Sequence, residues 1–219
     1  MTSKSQADIA MPALRQLLPA LPNLTTIQVL HCNKAGDVGA AVIGLRLPSV
    51  RTVIVPTKCN CILKACPNVT HVRCAGGDGA ALISALKFCD DVQILDGMID
   101  WSYKDIMTRL LKNAPKLHTL EIRRPVKSFR FETRITAPAI WAEVIPQLSK
   151  LPELRTIKLS FPGRETSSDS ASIEAARKVL RNSRVTRERK LIIRRVFAPH
   201  NTNSQWEDVV EDYRQELFY

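Results

Sequence analysis

One short phrase recurs along this chain and constrains its fold more than any other feature. It runs proline, any residue, aliphatic, two residues, aliphatic, one residue, aliphatic. It appears as Leu21-Pro-Asn-Leu-Thr-Thr-Ile-Gln-Val29, Leu47-Pro-Ser-Val-Arg-Thr-Val-Ile-Val55 and Cys66-Pro-Asn-Val-Thr-His-Val-Arg-Cys74, then as Ala114-Pro-Lys-Leu-His-Thr-Leu-Glu-Ile122 and Leu151-Pro-Glu-Leu-Arg-Thr-Ile-Lys-Leu159. A degenerate copy, Cys89-Asp-Asp-Val-Gln-Ile-Leu-Asp-Gly97, lacks the proline but keeps two aliphatic positions. The prolines are spaced by 26, 19, 48 and 37 residues, and the degenerate copy splits 48 into 23 and 25. Self-similarity at roughly 20 to 29 residues marks stacked units, each too small to bury its own apolar face.

The last three positions of each copy alternate in, out, in, as a short strand with one buried side requires. Proline just ahead suits a lead-in turn, because it cannot donate to a central ladder. Between the strands, 38–45, 80–88, 102–113 and 138–149 predict short helices, with Ser102 and Asp105 as an N-cap pair and Pro138 at a first helical position. Residues 59–65 leave room for one helical turn, and 12–18 predict a helix before the first strand. Aromatic residues make up only 5% of the chain, so Leu, Ile and Val must fill the interior, which suits thin repeated layers.

Leu24-Thr-Thr-Ile-Gln-Val-Leu-His-Cys32 resembles the leucine-rich-repeat consensus, with Cys where that family carries Asn or Cys. Lys58, Gly77, Asp100, Pro125 and Pro162 hold that place in later copies, which removes a regular asparagine ladder. Such irregularity is similar to the repeat region of fungal F-box proteins. The resemblance covers about residues 17–162. It implies an α/β leucine-rich-repeat solenoid, a horseshoe arc of six to seven irregular strand-helix repeats. It also implies protein recognition, as in a substrate receptor of a cullin-type ubiquitin ligase. No F-box-like segment is found ahead of the first repeat, so the expectation is such a module without its F-box.

Two regions follow from the pattern: repeats over 1–162, and a polar loop, a divergent last repeat and a cap over 163–219. The stretch 162–170 is polar and aperiodic and predicts a loop whose serines are phosphorylation candidates, although ordinary solubility accounts for them. A helix over 172–181 and a strand over 190–194 complete a seventh unit. Ser204-Gln-Trp-Glu207 reads as a capping box opening an amphipathic helix, with Trp206, Val209, Val210, Tyr213 and Leu217 on one face. That helix would cap the last repeat, whose core otherwise meets water.

A formal net charge of +11 favours polyanions or acidic proteins as partners. It is concentrated in Arg177, Lys178, Arg181, Arg184, Arg187, Arg189, Lys190, Arg194 and Arg195, opposed only by Glu188. A nucleic acid, gripped by its phosphate backbone, is one partner for the segment 177–195; a solvated helix face and strand edge, or a basic surface for an acidic partner, is the plainer reading. No aromatic platform accompanies the charges. No stretch has the length and apolarity of a signal peptide or membrane span, so an intracellular protein, cytoplasmic or nuclear, with six free thiols is expected.

Cys59-x-Cys61-x4-Cys66 with His31, His71 or Cys74 does not match zinc spacing, and Cys66, Cys74 and Cys89 fall where other copies hold aliphatic residues or alanine. Neither metal nor cofactor is expected. Histidines 31, 71, 118 and 200 are scattered, and no nucleophile motif or phosphate loop occurs, so catalysis is not expected. Gly76-Gly-Asp-Gly79 reads as a turn between repeats. A partner is expected on the concave strand wall, formed by the outward positions of each copy. Its candidate contacts are Gln28, Leu30, Ile54, His71, Arg73, Asp96, Glu121, Arg123 and Lys158, with Thr26, Thr52, Ile94, Thr119 and Thr156 beside them.

Overall fold

A computed structural model describes residues 6–29, 32, 34–97, 99–101, 105–123, 141, 143–162, 166–183, 185, 188–197 and 205–213. The recurring phrase produces the same local structure each time. The residue before each proline accepts a hydrogen bond from the amide three residues on: Leu24 to Leu21, Val50 to Leu47, Val69 to Cys66, Leu117 to Ala114 and Leu154 to Leu151. Proline therefore occupies the second position of a β-turn, where its fixed φ suits the bend. The aliphatic residue that closes the turn is buried in four of these five, at Val50, Val69, Leu117 and Leu154.

Each turn delivers the chain to a strand. These are β1 (Thr26–Gln28), β2 (Thr52–Pro56), β3 (His71–Gly76), β4 (Ile94–Gly97), β5 (Thr119–Arg123), β6 (Thr156–Pro162) and β7 (Arg189–Phe197). They lie side by side in chain order, all parallel. Each junction is made alike. The Thr25 carbonyl accepts the amides of Arg51 and Thr52, Arg51 those of Thr70 and His71, and Thr70 those of Gln93 and Ile94. The Gln93 carbonyl accepts His118 and Thr119, and His118 accepts Arg155 and Thr156, at 2.8–3.0 Å throughout these five junctions.

The register follows. Ile27, Val53, Val72, Leu95, Leu120, Ile157 and Leu191 form one column across the sheet. Six are fully buried and Ile27, on the edge strand, partly so. A second inward row, Val55, Cys74, Gly97, Ile122, Leu159 and Ile193, lies two residues on, and one core cluster runs from Leu18 to Ile193.

Helices cover the inner face: α1 (Gln6–Leu17), α2 (Ala35–Val42), α3 (Ile62–Ala65), α4 (Ala80–Ala85), α5 (Ile106–Asn113) and α6 (Ser167–Arg181). The single turn predicted within 59–65 is α3, and α4 continues as a 3-10 turn to Phe88. The helix expected over 102–113 starts at Ile106 with Asp105 as N-cap; Ser102 lies outside the described residues. Of 138–149, Ile145–Lys150 is a 3-10 helix, and Pro138 lies outside the described residues. No described helix is long and apolar enough to cross a membrane.

Two expectations about the C-terminal region are corrected. The segment read as a polar loop contributes the first turn of α6, because Thr166 and Asp169 form a capping box whose Asp169 accepts the Thr166 amide at 3.1 Å. The segment read as a C-terminal capping helix is instead strand β8 (Gln205–Tyr213), antiparallel to β7 along nine residue pairs, from Arg189↔Tyr213 to Phe197↔Gln205. The long β7 would otherwise present an unpaired edge, and its backbone groups are satisfied by a strand and not by a helix. Leu217 lies outside the described residues.

Five cysteines are buried, at 32, 59, 66, 74 and 89, and behave as small core residues. Burial pushes the Cys66 and Cys89 thiols from the ordinary 9.0 to about 12, and burial together with a hydrogen bond to Cys32 does the same to Cys59. Above pH 9 the unfolded chain releases these protons while the native state keeps them, so stability falls as pH climbs from about 9 toward 12. The urea midpoint should drop across that window, and a Cys89→Ala variant should show a shallower drop.

Candidate functional site

Strand alternation sends every second side chain to the face away from the helices, and the ladder brings these side chains into rows. Thr26, Thr52, His71, Ile94, Thr119, Thr156 and Lys190 form the first row by direct register. The next row holds Gln28, Ile54, Arg73 and Asp96 on β1 to β4, then Glu121, Lys158 and Ile192 on β5 to β7. In a third row Arg123, Ser160 and Arg194 stand opposite one another. Of the expected contacts, eight share this face, while Leu30 lies outside the described residues.

Glu121 is the exception to their exposure. Only 2% of it meets solvent, so it holds the sheet and is not offered as a contact. The cause lies at Gly97, whose φ of +97° belongs to the left-handed region and whose Cβ, if present, would sit 2.2 Å from the Cys74 carbonyl oxygen. Register pairing between β4 and β5 covers Ile94↔Thr119 and Leu95↔Leu120. Beyond it, the Gly97 amide donates to Glu121 Oε2 at 3.1 Å. Glu121 Oε1 accepts the Ser160 hydroxyl at 2.6 Å and an Arg123 Nη2 hydrogen at 3.3 Å. A buried carboxylate with three donors joins β4, β5 and β6 where the backbone ladder opens.

Around it the face remains wet. His71 Nε2 lies 3.3 Å from Asp96 Oδ2, and Arg73 Nε lies 3.8 Å from Asp96 Oδ1. The Arg73 side chain is 44% exposed, so that pair contributes little to stability. Lys158 is half-buried and meets no carboxylate among the described residues. Ile54, Ile94 and Ile192 are half-buried apolar neighbours among these charges.

The basic segment is not one surface. Arg189 is buried, and its Nη1 donates to the carbonyls of Leu180, Arg181 and Ser183, ending α6 where the seventh unit has no proline turn. Arg195 pairs with the buried Asp169 at 2.8 Å and lies over the Phe161 ring, 5.0 Å from its centre. That ring packs on Trp141, 5.7 Å between centres. Arg177 grips both carboxylate oxygens of Glu211 at 2.6 and 3.0 Å, tying α6 to β8. Arg181 pairs with Glu174, and Lys190 with Glu188. Lys178 is exposed, Arg184 and Arg187 lie outside the described residues, and Lys190 and Arg194 belong to the strand face. Three of the nine cations therefore hold α6, β7 and β8 together. Charge density along the chain does not reveal these roles.

Gly76 to Gly79 forms a turn whose helix end is filled from within. Thr57 Oγ1 accepts the Gly79 amide at 2.7 Å, and Asp78 Oδ1 accepts the Ala80 amide at 3.0 Å. Among the described residues no three His, Cys, Asp or Glu side chains are grouped as a metal would require. Cys74 contacts Thr57 Oγ1 and the Gly76 carbonyl, both at 3.5 Å, and Cys89 bonds the Leu63 and Cys66 carbonyls. His118 bridges Thr119 and Gln93 on the lead-in side of the face. His31 and His200 lie outside the described residues.

Glu121 and Arg73 should therefore differ in how much their truncation costs. Glu121→Ala, which strands the Gly97 amide and the Arg123 guanidinium, should cost roughly 2–4 kcal/mol by urea unfolding. Arg73→Ala should cost less than about 1 kcal/mol. No protein-family model matches this chain, and no curated protein matches its sequence.

Proposed function

We propose that this chain is a leucine-rich-repeat solenoid and a non-catalytic scaffold that binds a protein partner on its strand face. The observation that carries the reading is the row structure of that face. In-register strands set part-exposed Arg73, Lys158 and Arg123 among the apolar side chains of Ile54, Ile94 and Ile192. Cations that steer approach, beside isolated apolar anchors, are what a protein-binding surface needs. The horseshoe arc belongs to this reading, because curvature would make the strand face its concave wall. So does a substrate-receptor-like role in a cullin-type ubiquitin ligase, on the strength of the repeat resemblance.

The internal pairing of Arg177, Arg189 and Arg195 favours this reading over a polyanion-binding tail. Arg73 and Lys158 are the proper probes, since neither holds the sheet together. The test is mass spectrometry of proteins recovered with the tagged chain from nuclease-treated native lysate, alongside an Arg73→Glu, Lys158→Glu variant. One protein recovered with the parent chain and lost with the variant is the expected result, and a co-recovered cullin would extend it to the ligase. Partners that vanish on nuclease treatment, or that the variant retains, would overturn the reading.

A further inference from the structure

On the helical side of the sheet, α2 and α3 leave a half-open cavity of about 600 Å³. Its size lies in the range of small-molecule sites. One wall is Val42, Ile43 and Leu45, at the end of α2 and in the turn that follows; Ala65 and Pro67 lie on the other side. Ile43 is 67% exposed at the rim. Arg46 and Lys64 also line it, and the lining contains no acidic residue. Neither cation meets a carboxylate among the described residues; Lys64 instead leans over the Phe88 ring, 5.1 Å from its centre.

The chain therefore has an apolar slot with two cations at its border and, among the described residues, no carboxylate paired with either. We propose that it binds a small organic carboxylate with a hydrocarbon body, the body along Ile43, Leu45 and Pro67 and the carboxylate between Arg46 and Lys64. Burying each added methylene of such a ligand tightens binding by up to about fourfold. The guanidinium fork and the ammonium together favour a carboxylate over an uncharged head.

Two residues make the proposal testable. Cys61 lines the cavity and is half-buried, whereas the other five cysteines are buried, so it reports occupancy. Gly39, inside α2, also lines the cavity, and a Cβ there would have only Cys61 Sγ within 4 Å, at 3.9 Å. Gly39→Leu therefore favours the helix while filling the slot.

The experiment measures the rate of Cys61 alkylation by iodoacetamide, read by peptide mass spectrometry, with decanoate, octanoate or decanol added to the full chain. Decanoate should protect Cys61 saturably and about tenfold, octanoate should need higher concentration, and decanol should protect at least tenfold more weakly. Arg46→Gln with Lys64→Gln should weaken decanoate at least tenfold, and Gly39→Leu should abolish the effect while leaving the circular dichroism unchanged. The Arg73→Glu, Lys158→Glu variant should bind decanoate like the parent, which separates this site from the strand face. Absence of saturable protection, equal protection by decanol, or an unchanged Arg46→Gln, Lys64→Gln variant would each overturn the proposal.

Discussion

A single carbonyl repeated at each strand junction organises this protein. Thr25, Arg51, Thr70, Gln93 and His118 each accept two amides from the start of the next strand, so every unit joins the sheet at the same point. Since side chains alternate with period two, a slip of one residue at any junction would exchange the buried column for the outer row. The β-turns set by proline place the chain for these bonds, and helices as short as α3 suffice because they need only cover the column. No unit is stable alone; burial between neighbours supplies what local propensity does not.

The first six strands were legible in the sequence because the phrase encodes both turn and alternation, and a seventh because Lys190 to Arg194 is a compact apolar run. The proline at the second turn position and the aliphatic closing it were readable at 21–24, 47–50, 66–69, 114–117 and 151–154. Where the phrase stops, legibility stops with it. Gln205–Tyr213 satisfies a helical cap pattern as well as a strand pattern, and only the demand of the β7 edge for backbone partners decides between them. Likewise the serines at 167–170 read as loop until the Thr166 and Asp169 box is seen to start a helix there.

The outer face was legible as a set of positions but not as a set of roles. Alternation places Glu121 outward along with Arg73 and Lys158, and nothing in its neighbours in sequence marks it as buried. Its burial depends on Gly97, twenty-four residues earlier, whose left-handed backbone turns an amide out of the ladder. The basic segment misleads in the same way. Arg189, Arg195 and Arg177 serve a helix end, a capping carboxylate and a neighbouring strand, while Lys190 and Arg194 join the face. Charge counted along a chain and charge arranged in space are different quantities, and the fold converts one into the other.

Disulfide trapping tests the register most directly, because the outer rows exist only if it holds. Thr119 and Thr156 are direct partners on β5 and β6, and parallel neighbours about 4.8 Å apart lie within reach of a disulfide. Under mild oxidation a Thr119→Cys, Thr156→Cys chain should close quantitatively, and a Thr119→Cys, Lys158→Cys chain should not. Preferential closure of the second pair would place β6 two residues out of step and contradict the account.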